Sequence, residues 1–122
     1  MFQWLIADGF IPNTSEGRLE SHESLCIVNP YEQDALITLE IFFEDREPIT
    51  PIELICPARR TRHFLVNNLV APSGASIPRG VPYAAFLFSE LEVGVQLSRL
   101  DTSQPQLALM TVPGIRVGSS VV

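Results

Sequence analysis

Lysine is absent from this chain of 122 residues. Every fixed cation is therefore one of eight arginines, whose planar donor fork suits carboxylates, phosphates and buried ion pairs. Charge is sparse, at 18% of residues, and the balance is acidic, with a net charge of −6. That balance argues against sequence-independent nucleic-acid binding, which needs many phosphate contacts. It also leaves apolar surface available to a partner subunit. Cysteine is scarce: Cys26 and Cys56 each sit in an apolar run, where a free thiol behaves as a small hydrophobe. A disulfide between them would require neighbouring strands. No run approaches the ~18 apolar residues of a membrane span. Met1 to Ile11 lacks the basic start and long apolar stretch of a signal peptide. The expectation is a cytoplasmic chain without membrane insertion. Sustained helical periodicity is missing too, although Leu100 to Met110 could hold one short helix, Asp101 serving as N-cap for a helix over Gln104–Met110.

What the sequence does contain is a series of short strands. Ile37, Leu39, Ile41 and Phe43 alternate with Thr38, Glu40, Phe42 and Glu44, the period of two of a half-buried strand. Val93, Val95 and Leu97 alternate with Gly94, Gln96 and Ser98 in the same way. Shorter apolar runs at Trp4–Ala7, Leu25–Val28, Ile52–Cys56, Phe64–Val66, Tyr83–Phe88 and Leu107–Val112 have strand length. Ten prolines and seven glycines mark the gaps between them. The pattern predicts a single all-β domain, an antiparallel β-sandwich of about eight short strands, over residues 1–112. A C-terminal tail, 113–122, is expected to fray or to serve a subunit contact.

Four polar clusters interrupt these runs: Ser21-His22-Glu23, Asp45-Arg46-Glu47-Pro48, Pro57-Ala58-Arg59-Arg60-Thr61-Arg62-His63, and Ser98 to Gln104. They hold both histidines, and six of the eight arginines lie in or beside them. Consecutive strand residues face opposite ways, so Ser21, His22 and Glu23 cannot form a catalytic triad with one another. Either His22 or Glu23 could sit at a pocket rim, or the stretch is a loop entering a strand. Arg46, between two acids at a strand end, reads as a solvated pair unless that end faces a cleft. On a strand, Arg59, Thr61 and His63 share one face and Arg60 and Arg62 the other. Arg99 and Asp101 are two apart and could pair or flank a ligand.

Taken in order, Trp4-Leu5-Ile6-Ala7-Asp8-Gly9-Phe10-Ile11-Pro12, Ser21 to Asn29, Asp45-Arg46-Glu47-Pro48, Pro57 to His63 and Ser98-Arg99-Leu100-Asp101 resemble the sensory rhodopsin transducer family. The resemblance implies a β-sandwich subunit, a cytoplasmic homotetramer without enzymatic activity or cofactor, and a small polar or sugar-like ligand. A membrane photoreceptor or another protein is the implied partner. It carries His22, Glu23, Arg46, Arg59, Arg60, His63, Arg99 and Asp101 over as ligand-binding positions.

The leading expectation is thus a non-catalytic, signal-transducing binding domain in which arginine forks grip the ligand and carboxylates orient them. The alternative is a structural scaffold working through its oligomer surface, or a DNA-contacting regulator if assembly gathers Arg59, Arg60 and Arg62. Catalysis is disfavoured, because two histidines with no spaced metal motif, no nucleophile elbow and no phosphate loop leave little to build an active site from.

Overall fold

A computed structural model describes residues 1–118. The fold is the expected one: two antiparallel sheets packed face to face as a single sandwich. The strands are β1 (Phe2–Gly9), β2 (His22–Asn29), β3 (Ala35–Phe43), β4 (Ile49–Cys56), β5 (Arg60–Leu65), β6 (Tyr83–Ser89), β7 (Gly94–Asp101), β8 (Ala108–Pro113) and β9 (Ile115–Val117). One sheet runs β4-β3-β6-β1-β9 and the other β5-β2-β7-β8. A short 3₁₀ turn, Val66–Asn68, follows β5.

Alternation builds the core. On β3, Ala35, Ile37, Leu39 and Ile41 are buried while Leu36 and Phe42 point outward. Across the gap, Leu25 and Ile27 of β2 and Val95 and Leu97 of β7 face inward. Trp4 and Ile6 of β1 and Leu87 of β6 complete the layer. A one-residue slip of any of these strands would turn its apolar set to water, so the pattern fixes the register.

Two departures from the sequence reading are local. The helix entertained over Leu100–Met110 does not form. Instead the Asp101 carboxylate accepts from the Ser103 N–H at 2.9 Å and hydroxyl at 2.5 Å, and Gln104 Nε2 donates to the Asp101 carbonyl at 3.1 Å. These bonds close a turn, and Ala108 pairs back on Asp101 as a hairpin. Short-range side-chain bonds of this kind compete directly with helix formation. Within the C-terminal segment, Ile115–Val117 adds to β1 as an edge strand; residues 119–122 of the expected tail lie outside the described residues. Cys26 and Cys56 are both free thiols.

Register divides the molecule into two ends. Gly9 pairs with Tyr83, Tyr83 with Phe43, and His22 with Leu100, so the end of β1, the start of β2, the β3–β4 turn and the β7–β8 turn share one end. The β4–β5 turn and the β2–β3 loop share the other. There Asn29 ties them together, donating to the carbonyls of Gln33 at 2.8 Å and Cys56 at 3.0 Å.

Candidate functional site

Alternation sends the two halves of the Ser21-His22-Glu23 cluster in opposite directions. Glu23 points inward and is fully buried (0% exposed). A lone carboxylate there would be very costly, but it is saturated. Tyr83 donates its hydroxyl to Oε1 at 2.5 Å, Arg99 donates Nε–H to Oε2 at 2.9 Å, and the Phe10 N–H reaches Oε2 at 3.1 Å. Arg99, 15% exposed, also donates from Nη2 to the Asp8 carbonyl at 3.2 Å and lies 3.6 Å from the Asp8 carboxylate. Four strands, two from each sheet, meet in this knot. Burial first, and then the neighbouring Glu23 carboxylate, push the Tyr83 phenol far above its ordinary range, so Tyr83 remains a donor at every physiological pH.

The backbone makes room for the knot. Between Ile6 and Gly9 the β1–β6 register shifts, a bulge that carries the Asp8 carbonyl toward Arg99. Gly9 lies against the Tyr83 ring, and any Cβ at that position would run into it.

A cleft of about 440 Å³ opens beside the knot, lined by Ile11, Glu20, His22, Leu65, Asn67, Asn68, Ile77 and Arg79. Ile11 and Ile77 are buried and form an apolar floor. Arg79 crosses between two loops: Nη1 donates to the carbonyls of Pro12 at 3.1 Å and Ser21 at 3.2 Å, and Nη2 pairs with Glu20 at 3.0 Å. Gly80, at φ 74°, donates to the Ile11 carbonyl at 2.7 Å and packs on Asn13, where a side chain would not fit. His22 places Nδ1 2.9 Å from the Glu20 carbonyl. A carbonyl only accepts, so Nδ1 carries the hydrogen and Nε2 of the neutral ring is an acceptor.

Asn67 joins cleft to knot. Its Nδ2 donates to the Ser21 carbonyl at 3.2 Å, and its Oδ1 accepts the Glu23 N–H at 3.2 Å. Behind it, the buried hydroxyls of Ser21 and Thr102 lie 3.0 Å apart, and Thr102 donates to the Leu19 carbonyl at 2.9 Å. These bonds hold the long 10–21 loop against the β7–β8 turn.

The eight positions carried over from the sequence do not gather in one place. Glu23 and Arg99 pair in the knot, His22 lines the cleft, and Asp101 serves the turn at the same end. Arg46, in the β3–β4 turn, pairs with its neighbour Asp45 at 3.0 Å and covers the Phe43 ring at 5.4 Å. Arg59 and Arg60 lie at the far end of the sandwich, where Arg59 pairs loosely with Glu32 at 3.4 Å. His63 sits opposite Cys26 on the exposed face of the four-stranded sheet. Arg79, Tyr83 and Asn67 were missed. The available signals were an arginine isolated between Pro78 and Gly80 and a tyrosine opening an apolar run directly after Pro82.

Comparison with known proteins supplies the remaining observation. The family model described as Anabaena sensory rhodopsin transducer matches residues 1–115. Among solved structures, the chain is similar to the Thermotoga maritima protein designated 1070, at 35% identity and a TM-score of 0.79, covering 93% of this chain and 91% of that one. It is also similar to the Anabaena sensory rhodopsin transducer itself, at 38% identity and a TM-score of 0.72, covering 82% and 88% respectively. No curated protein matches the chain.

Proposed function

Because this chain belongs to the Anabaena sensory rhodopsin transducer family, we propose that it is a non-catalytic cytoplasmic transducer subunit. In this reading it binds a small polar, sugar-like ligand in the cleft and passes the occupied state to a protein partner, a membrane photoreceptor being the partner the family suggests.

The observation that carries the ligand reading is the composition of the cleft. It offers an apolar floor from Ile11 and Ile77 and, beside it, the polar side chains of Glu20, His22, Asn67, Asn68 and Arg79. Arg79 still has Nε–H and one Nη2 hydrogen free of its three bonds. The single guanidinium is already balanced by Glu20, so the rim holds no surplus positive charge for a phosphate. A neutral polyhydroxylated molecule, apolar on one face and edged with hydroxyls, matches that arrangement.

Of the positions expected from sequence, His22 is proposed to touch the ligand. Glu23 and Arg99 hold the wall behind it through Asn67. Arg46, Arg59, Arg60, His63 and Asp101 are proposed to act outside the cleft, on the surfaces a partner would meet. A ligand that pulls on Asn67 or Ser21 would load the inter-sheet knot directly, a mechanical route from cleft to sandwich.

The test is a thermal-shift panel of neutral sugars, sugar acids and inorganic phosphate. Ligand bound only to the folded state raises the melting temperature by mass action. We expect a shift with neutral sugars that disappears in Arg79→Ala. A shift with phosphate alone, or no shift across the panel, would overturn the ligand reading.

A second reading is supported by a different observation. On the outer face of the five-stranded sheet Leu36, Phe42, Ile55 and Ile115 are exposed, and Phe42 stacks on Phe86. Leu36 and Ile55 are paired across β3 and β4, and exposed apolar patches mark association sites. This surface supports a scaffold role and the homotetramer the family suggests.

A further inference from the structure

The two free cysteines meet opposite surroundings. Cys56 is fully buried, and its Sγ donates to the Arg60 carbonyl at 3.3 Å and, more weakly, to the Ile27 carbonyl at 3.9 Å. Burial pushes its thiol above the ordinary value, so the thiolate, the reactive form, is scarce there. Cys26 is half-buried on the outer face of the four-stranded sheet, with the Ser24 carbonyl as a weak acceptor at 3.9 Å. It does not stand alone. His63 of β5 is its direct cross-strand partner on one side, and Gln96 of β7 is its partner on the other. Opposed residues of antiparallel strands hold their Cβ atoms about 4.5–5.5 Å apart, which brings thiol and imidazole within reach of each other. A depression of about 370 Å³ lies over this row, bordered by Cys26, Val28, Thr61, His63, Gln96 and Pro113. Among the described residues no carboxylate or arginine lines it, so His63 is the group placed to receive the thiol proton.

We propose that Cys26 is a thiol-exchange site, with His63 as its base, that captures one half of a small uncharged disulfide in this depression. The Cys26 proton passes to the His63 imidazole, and the thiolate attacks one sulfur of the disulfide. A new S–S bond forms to Cys26 as the disulfide's own S–S bond breaks. The departing sulfur leaves as a thiolate and takes the proton back from His63. Cys26 is oxidised and the departing sulfur is reduced, so the disulfide is itself the oxidant. Nucleophile and base within reach of each other, beside a recess for the captured group, are what such a step requires. The uncharged lining suits a neutral disulfide, and the Gln96 amide offers it both a donor and an acceptor. The depression shares no residue with the ligand cleft. The site therefore goes beyond the transducer reading and stands or falls separately from it.

The experiment treats the folded full chain with hydroxyethyl disulfide at about pH 7 and follows both cysteines by peptide mass mapping over time. We expect one added half-disulfide per chain, on Cys26, removable by excess dithiothreitol. Cys56 should stay unmodified until urea unfolds the chain, when the two cysteines should react alike. His63→Gln should slow the capping of Cys26 by roughly tenfold or more. At about pH 10, above the ordinary thiol value of about 8.5, water removes the proton without help and the two proteins should converge. Capping of Cys26 no faster than that of Cys56 in the folded chain overturns the proposal. So does a rate that His63→Gln leaves unchanged. A deficit in His63→Gln that persists at high pH would make His63 a packing residue and overturn its part as base. The comparison of the two cysteines in wild type decides the site even if the variant fails to fold.

Discussion

Arg99 and Arg59 are the same residue type in clusters that look alike in the sequence, yet they live in opposite physical regimes. Arg99 is 15% exposed and faces a carboxylate with no exposure at all, whereas the Arg59 and Glu32 side chains are 63% and 83% exposed. At the first site water has been removed, so the attraction is strong, the desolvation cost is large, and the balance rests on complete hydrogen bonding. At the second, water and salt screen the pair, and holding two long side chains together offsets most of the gain. An arginine's importance is therefore set by what its partner loses on burial. By that measure the Glu23 knot is structurally committed, while the Arg59–Glu32 pair is free to change.

The largest test of this contrast removes one member of the buried pair. Arg99→Met leaves the Glu23 carboxylate with only Tyr83 and the Phe10 N–H, and breaking a buried pair from one side costs about 3–5 kcal/mol. At this chain length that should lower the melting temperature by roughly 10–20 °C. The double variant Glu23→Gln with Arg99→Met should be less destabilised than the sum of the two singles, because the charge has gone with its partner. Strict additivity would mean the pair contributes nothing as a pair, and the contrast would collapse.

Legibility in the sequence followed the range of the forces involved. Alternation along β3 and β7 is a local signal, so the strands and the sandwich could be read directly. The opposed directions of His22 and Glu23 could be read for the same reason. The partners could not. Glu23 meets Tyr83 60 positions away and Arg99 76 positions away, and which strands come together is a property of the sheet order. Arg79 was hidden because Pro78 and Gly80 read as loop punctuation, yet those residues deliver it to Pro12, Ser21 and Glu20. The Ser98–Gln104 cluster misled in one respect: Asp101 followed by Ser103 is equally good chemistry for a helix cap and for a turn, and pairing with Ala108 decides the matter.

Asp101 stands between the two regimes. Donation from the Ser103 hydroxyl and N–H holds its carboxyl below the ordinary value of 3.8. A depressed folded value means the contribution is present above 3.8 and is lost as the pH falls through the lowered value. Asp101→Asn keeps an acceptor but loses the charge, so it should cost about 0.5–1 kcal/mol near neutrality. In urea titrations at a series of pH values, the gap from wild type should close below 3.8. A gap that persists at lower pH would assign the effect to turn geometry and leave charge out of it.

The smallest effect belongs to Arg59, and its sign is informative. The residue sits at φ 55°, a left-handed conformation that costs a non-glycine residue roughly 1 kcal/mol. Arg59→Ala keeps that strain and loses only the exposed contact with Glu32, so it should destabilise by at most about 0.5 kcal/mol, an amount that fades in high salt. Arg59→Gly relieves the strain at some cost in unfolded-chain entropy and should come out neutral or slightly stabilising. Denaturation of both variants at low and high salt, beside Arg99→Met, completes the comparison: the Arg99 deficit should be nearly indifferent to salt because its field runs through protein. A salt-sensitive Arg99 deficit would show that water reaches the knot, and the distinction between the two ends would then be one of degree.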